Sequence, residues 1–298
     1  MALHWETFKT RTLTALLFAL IMLGGMLWNA WSFLALFSLI HFGCWHEYQK
    51  LLSTYDPGYA SISLLHRYGV MIAGWSLLLI ASGDEQVIFH LPLPELGWWL
   101  GLVSFLVLPL IALFLEAPMR PRNFLYSCLG ILYLSCSFAF LIDLYAPWHI
   151  NIDESYYHIG AAQLVLLMIA SIWINDTMAY IVGSLMGKTP LSPISPKKTW
   201  EGTVGGILLT VIIIPILAHI FFEWGEWTSL VVGVAALAAV MGTLGDLLES
   251  KLKRLAGVKD SGHFMPGHGG FLDRFDSILL AAPFVWLYIK LIESGVIS

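Results

Sequence analysis

The stretch GDLLESKLKR, Gly245 to Arg254, puts Asp246, Glu249, Ser250 and Lys253 at i, i+3, i+4 and i+7, one face of a helix. A carboxylate followed one and two turns later by a hydroxyl and an ammonium suits a site for a metal ion and phosphate. The plainer reading is a solvated helix end in which Glu249 pairs with Lys253, and it covers Glu249 and Lys251 well. It covers Asp246 poorly. Asp246 follows an apolar run of small residues and lies near hydrocarbon depth, where an ionisable group is functional by default.

The next polar stretch, KDSGHFMPGHGGFLDRFDS from Lys259 to Ser277, sits between two strongly apolar runs. Pro266, Gly267, Gly269 and Gly270 surround His268, and Asp273 and Asp276 follow three residues apart. Glycines let backbone N–H groups approach phosphate oxygens with no Cβ in the way. Two carboxylates one turn apart can share a hard cation such as Mg²⁺, which takes oxygen ligands and bridges phosphates. Lys259 and Arg274 can neutralise a triphosphate. A surface loop with its charges paired internally is the alternative, but it has little use for acids, bases, a histidine and four small or rigid residues together.

Two further segments carry polar groups into apolar surroundings. In SPISPKKTWEG, Lys197 and Lys198 follow a proline-stiffened turn and precede a helix whose N-terminus attracts anions. A basic juxtamembrane loop on anionic lipid fits the same residues, and both hold if the substrate is itself an anionic lipid. In WINDTMAYIVGSLMGK, Asp176, Tyr180 and Gly183 share a helix face inside or at the end of an apolar span. Asp176 there needs a partner or a cation, a structural hydrogen bond between helices being the alternative. GSLMGKT only resembles a phosphate-binding P-loop. It has three residues between its glycines rather than four, Val182 where the first glycine belongs, and a helix end where a strand should precede.

The elements that must hold these residues are membrane helices. Of 298 residues, 58% are hydrophobic and 12% charged, and the mean hydropathy is +0.78. A soluble domain of this length cannot hide so much apolar surface, so the expected class is all-α, a polytopic integral membrane protein. Nine spans are expected, near Leu13–Trp28, Trp31–Trp45, Tyr68–Ser82, Gly97–Leu115, Phe124–Tyr145, Ile159–Gly187, Gly202–Phe222, Ser229–Glu249 and Ser277–Ile292. With the N-terminus inside, every Lys and Arg except Lys290 falls on the cytoplasmic side, whereas fusing the first two spans near Asn29 strands Lys9 and Arg11 outside. The basic flank and apolar run at the start read as a retained anchor. Cys44, Cys128 and Cys136 lie in apolar runs without metal-ligand spacing. No repeat or separate soluble domain interrupts the chain. It reads as one membrane domain, 1–298, with 1–150 mainly scaffold and the chemistry in 173–277.

The run SKLKRLAGVKDSGHFMPGHGGFLDRFD, Ser250 to Asp276, closely resembles the signature of the phosphatidate cytidylyltransferases, the CDP-diacylglycerol synthases. Ser250, Lys253-Arg254, Lys259-Asp260, Pro266 to Gly270, Asp273-Arg274 and Asp276 stand at the family's spacings. NDTMAY and SPKKTWEG are similar to its other segments, while the first 170 residues fit by hydropathy alone. Met178 stands where many members carry glycine, and Phe264 where an aliphatic residue is commoner. The resemblance implies transfer of the cytidylyl group of CTP to phosphatidate, giving CDP-diacylglycerol and pyrophosphate for phospholipid synthesis. It also implies a homodimer and a Mg²⁺ site near the cytoplasmic surface, with Asp246 and Asp273 as metal ligands and a monovalent cation such as K⁺ beside the divalent one.

On this reading Asp246, Lys253, Asp273 and Asp276 are catalytic, with Asp276 supporting the metal ligands and Asp176 a possible support of the site. Ser250, Lys253, Arg254, Lys259, Gly269, Gly270 and Arg274 bind phosphates, and Lys197 and Lys198 engage CTP or the lipid head group. His268 orients a phosphate or stiffens the loop. The partners are CTP, phosphatidate, the bilayer and a second copy of the chain, and no nucleic acid. The compact length suits a bacterial cytoplasmic (inner) membrane. Two other functions stay open. A CTP-dependent lipid kinase would transfer the γ-phosphate to a lipid alcohol, and a secondary transporter would use Asp176 and Asp246 as ion-coupling carboxylates, though it should show internal repeats.

Overall fold

The computed structural model describes residues 5–115, 120–152, 155–222, 228–264 and 269–296. The chain divides into two compact units, one of Met1–Asp143 with Leu252–Phe275 and one of Leu144–Lys251 with Asp276–Ser298.

In the first unit, α1 (Trp5–Leu27) and α2 (Ala30–Tyr55) are separate helices. They part at Asn29 because its side chain accepts from the Ser32 N–H while the Ser32 hydroxyl accepts from the Asn29 N–H. That reciprocal cap starts a new helix where the sequence places a break. After the short α3 (Pro57–Ala60), Ser63 caps α4 (Leu64–Ile80) by accepting from the His66 N–H. A small hairpin, β1 (Val87–Ile88) with β2 (Leu91–Pro92), leads into α5 (Leu93–Leu115), which packs on α4. Then α6 (Pro121–Gly130), a π-helical turn (Ile131–Cys136) and α7 (Ser137–Leu144) form one continuous span, Pro121–Leu144. The wider turn aims the buried Ser135 hydroxyl at His41 Nε2 and Trp45 Nε1, both at 2.9 Å. Phe33, Phe37, Phe138 and Phe275 form a buried aromatic cluster with centroids 4.7–6.4 Å apart. Phe275 is thereby pinned, two residues after Asp273.

In the second unit, β3 (Trp148–Ile152) and β4 (Ser155–Ile159) make an antiparallel hairpin before α8 (Gln163–Met186). A second hairpin, β5 (Pro190–Ser192) with β6 (Ser195–Thr199), joins α8 to α9 (Trp200–Phe222). Lys197 and Lys198 thus follow a turn and precede a helix, as the sequence reads, but they lie on a strand that it does not signal, paired from Pro190 to Thr199. Small residues bring α8 and α9 together. A Cβ on Gly202 would come within 2.7 Å of the Ala179 carbonyl, and one on Gly206 within 2.8 Å of the Ala179 Cβ. The last helices are α10 (Thr228–Leu255) and α11 (Leu272–Glu293). Within this unit α10 meets α11 at Gly245, where a Cβ would lie 2.5 Å from the Asp276 carbonyl.

Among the described residues six helices are long and apolar enough to cross a bilayer: Leu93–Ile111, Pro121–Leu144, Gln163–Met186, Trp200–Phe221, Ser229–Leu255 and Leu272–Glu293. Leu16–Leu27 and Leu64–Ile80 are apolar but shorter. Helix α5 exposes Trp98, Trp99, Leu102, Phe105, Leu106 and Phe114. A surface of that kind needs lipid around it. The protein is an all-α integral membrane protein with three small hairpins that hydropathy does not signal.

Candidate functional site

A cavity of about 540 Å³ opens in the second unit, lined by Asp176, Lys197, Lys198 and Asp246 among others. Asp246 comes from α10, Asp176 from α8 and the two lysines from β6. The close approach of α8 and α9 is what carries β6 over the Asp176 face. Lys198 forms an ion pair with Asp246 Oδ2, and Ser250 donates to Asp246 Oδ1 at 3.2 Å, the i,i+4 contact that the helical spacing predicts. The pair is open to solvent, with side chains 26% and 31% exposed. Asn175 donates to the Thr243 hydroxyl at 3.2 Å, yet its own Oδ1 is buried at the cavity with no hydrogen-bond partner among the described residues. An amide oxygen in that state is an acceptor in need of a cation or donor. The hairpin is anchored by Glu201, which accepts from the Lys188 and Thr189 N–H groups and from the Thr189 hydroxyl. Thr199 caps α9 by accepting from the Gly202 N–H.

The first unit holds a second, more enclosed cluster. Lys253 Nζ donates to Asp273 Oδ1 at 2.7 Å, the side chains being 13% and 9% exposed. Asp273 Oδ2 accepts the Ser261 N–H at 2.9 Å, the Ser261 hydroxyl at 2.9 Å and the Gly270 N–H at 2.8 Å. Behind it, Glu47 of α2 is buried. It accepts the Phe271 N–H on Oε1, and the Leu272 N–H and Ser261 hydroxyl on Oε2, at 2.7–2.9 Å. These backbone donors belong to the start of α11, whose positive dipole end favours a carboxylate. Gly269 sits at φ +84°, a conformation natural to glycine, and so turns the chain into α11.

A cavity with a carboxylate–lysine pair in one unit, and in the other a loop that opens onto a capped helix, bear comparison with known proteins. The model of the cytidylyltransferase family matches residues 9–292. The chain belongs to that family. It is 32% identical over 288 residues to a phosphatidate cytidylyltransferase of Staphylococcus saprophyticus, covering 92% of this chain and 96% of the relative. Proteins of the same name from Synechocystis and Staphylococcus aureus are 45% and 46% identical over 132 residues, covering 43–44% of this chain and 44–49% of theirs.

In this cytidylyltransferase-family chain the cavity of the second unit brings together Asp176, Lys197, Lys198 and Asp246, with Tyr180 and Gly183 on the Asp176 face as the helical spacing predicts. The cluster of the first unit brings together Lys253, Gly270 and Asp273. Lys259 lines a separate cavity of about 320 Å³ with Lys50, Thr54 and His263. Arg254 and Arg274 are exposed, Arg254 donating to the Val258 carbonyl at 3.4 Å. Asp276 Oδ1 accepts the Ser277 N–H at 2.6 Å. His268 lies outside the described residues.

Two residues behave otherwise than the sequence suggests. Glu249 is fully buried rather than part of a solvated helix end, because the face of α10 that carries it turns inward. Glu47 is absent from the sequence-based site altogether. Its one signal is that it is the only acid within α2, two residues after Trp45, where the expected span ends.

Proposed function

We propose that the protein transfers the cytidylyl group of CTP to phosphatidate, giving CDP-diacylglycerol and pyrophosphate. The observation that carries this reading is the match to a phosphatidate cytidylyltransferase along almost the whole chain, 92% of it and 96% of the relative. In the reaction a phosphate oxygen of phosphatidate attacks the α-phosphorus of CTP, and the bond from that phosphorus to the α–β bridging oxygen breaks. That oxygen leaves with the β- and γ-phosphates as pyrophosphate. The nucleophile is already anionic, so no strong general base is required. The work is to bring two anions together and to stabilise charge on the leaving group.

The residues present suit such work. Lys198 and Lys197, which line the cavity, attract the polyphosphate and fix its place. Lys253, Arg254, Lys259 and Arg274 supply further positive charge around the lipid phosphate and the leaving group, and the Gly269-Gly270 backbone allows close approach. Ser250 holds Asp246 in its rotamer from one turn away.

The donor set at Asp246 fits Mg²⁺. The Asp246 and Asp176 carboxylates and the unpartnered Asn175 oxygen line one cavity, all hard oxygen donors. Asp273 fits less freely, since Lys253 and three further donors already hold it; it would serve as a ligand once Lys253 is released to phosphate. Asp276 supports it. When bound, the metal would supply charge neutralisation of the polyphosphate, and the same acids would also hold a monovalent cation such as K⁺. The catalytic segments are 173–277. The enzyme works as a homodimer in the cytoplasmic (inner) membrane, with nine spans once α1, α2 and α4 are counted, and with its N-terminus and site in the cytoplasm. The excess of basic residues on that side supports the orientation.

Purified protein supplied with phosphatidate, Mg²⁺ and CTP labelled at the α- or the γ-phosphorus tests the reaction. Label in lipid from the α position alone is expected. Label from γ alone, with a lipid alcohol present, would make the protein a kinase, and label from neither would leave no transferase reading standing.

A further inference from the structure

We infer that Glu47, on the second helix, is a positioning residue for the reaction: it fixes the first turn of α11 and, through Ser261, the orientation of the Asp273 carboxylate. The inference rests on the cytidylyl-transfer reading for its kinetic consequence and on the geometry of the first unit for everything else.

Both oxygens of Glu47 are engaged by backbone. Oε1 takes the Phe271 N–H and Oε2 the Leu272 N–H, each at 2.9 Å. These are orphan donors of the first turn of α11, and Asp273 follows immediately in that turn. The Ser261 hydroxyl lies 2.7 Å from Glu47 Oε2 and 2.9 Å from Asp273 Oδ2. It thus ties the two carboxylates to one another, while the Ser261 N–H, also on Asp273, keeps the serine backbone in register. Three points of the loop, Ser261, Phe271 and Leu272, are therefore held by one side chain that lies more than 200 residues earlier.

Space is matched to this grip. A Cβ on Gly262 or on Gly270 would collide with the Glu47 carboxylate. The two glycines are the room that Glu47 needs, a different demand from the approach of a phosphate. A buried carboxylate met by three donors and a helix dipole is a costly group to keep unless its geometry matters. What it governs is the rotamer of Asp273 and hence where Lys253 points, since Lys253 is bonded to the other Asp273 oxygen.

Glu47→Gln is the sharp perturbation. It preserves shape, but each Glu47 oxygen faces a backbone donor, so the new NH₂ must meet an N–H head-on. Ser261→Ala removes the hydroxyl tie and leaves the Ser261 N–H bond. Each variant, and the two combined, is purified in detergent. The measurements are kcat, half-saturating Mg²⁺ and amide hydrogen exchange over 259–276.

Glu47→Gln is expected to lower kcat about 10- to 100-fold, the loss typical of bonds to a charged group. It should also raise half-saturating Mg²⁺ several-fold and speed exchange at Phe271 and Leu272. Because Glu47 acts through Ser261, the double variant should be little worse than the poorer single one. A fall in the folded fraction alone would scale kcat but leave half-saturating Mg²⁺ in place. That outcome, wild-type turnover in Glu47→Gln, or fully additive losses would overturn the inference. If the unsubstituted protein incorporates no α-label, the reaction reading fails instead, and slow exchange at Phe271 and Leu272 that is lost in Glu47→Gln would still establish the hold on α11.

Discussion

Replacing Lys253 by methionine keeps the length of the side chain and removes its charge. The ammonium now lies 2.7 Å from Asp273 Oδ1, and both side chains are nearly enclosed, at 13% and 9% exposure. Breaking an enclosed pair from one side leaves an uncompensated charge and costs about 3–5 kcal/mol. Asp273 keeps three donors on its other oxygen, so the lower end applies, roughly 3 kcal/mol of stability. Asp273→Asn strands the ammonium instead, but Lys253 can swing its head to water, so about 1–2 kcal/mol is expected there. The combined variant removes both charges. Its stability should recover by about 2 kcal/mol relative to the sum of the single losses, because no buried charge is left behind.

Activity should not follow stability. If Lys253 contacts a phosphate in the transition state, its loss lowers turnover about 10- to 100-fold, and removing Asp273 as well restores none of it. Thermal unfolding in detergent, read by tryptophan fluorescence, and transfer of α-labelled CTP into lipid measure the two quantities on one preparation. Single variants whose stability losses simply add would refute the pairing. Near-normal turnover in Lys253→Met would return Lys253 to a purely structural role.

Asp246→Asn should abolish lipid labelling while leaving the unfolding midpoint within a few degrees, because the Lys198–Asp246 pair is open enough to be worth under about 1 kcal/mol; a folded and active variant would refute its metal role. Asn175→Leu should raise half-saturating Mg²⁺ without loss of folded protein, since it removes the unpartnered oxygen at the cavity; an unchanged Mg²⁺ curve would count against that donor. Gly206→Leu should cost several kcal/mol, on the order of an overpacked core site, because its side chain has only the Ala179 backbone to enter; wild-type unfolding would contradict the close approach of α8 and α9. In a chain freed of Cys44, Cys128 and Cys136, cysteine at His263, which is exposed, should react with an impermeant reagent only from the cytoplasmic face, and cysteine at Glu85 only from the other; the reverse pattern would overturn the orientation.

Helix class, the family and most span positions are legible in the sequence because each rests on a local signal. Hydropathy marks α8 to α11, and Asp246 and Ser250 meet in the structure because i,i+4 spacing on a helix leaves them no alternative. The β5–β6 hairpin is not legible in the same way. Pro190 pairs with Thr199 across a run whose prolines signal a turn and argue against strands on either side of it. Glu249 illustrates the limit of helical periodicity: spacing puts it beside Asp246, yet Asp246 is partly open and Glu249 is fully buried, a difference decided by neighbours distant in sequence. Glu47 lies further beyond reach. Nothing within α2 distinguishes an acid that caps another helix from one that snorkels to water, and its partners at 261, 271 and 272 arrive only when the loop folds back.

The two carboxylate–lysine pairs differ in a way that bears on their tasks. A site that must accept both a cation and a polyanion needs acids and bases together, and before substrate arrives each can neutralise the other. Lys198 and Asp246 do so loosely, a quarter to a third exposed, so exchanging the partner for phosphate and metal costs little. Lys253 and Asp273 do so tightly, with three more donors on the aspartate and Glu47 behind them. Opening that pair costs several times more, on the order of an enclosed salt bridge. The loose pair is suited to capture and the tight one to geometry. Substitutions at Lys198 should therefore act first on the apparent affinity for CTP, and those at Glu47, Ser261 and Lys253 on turnover.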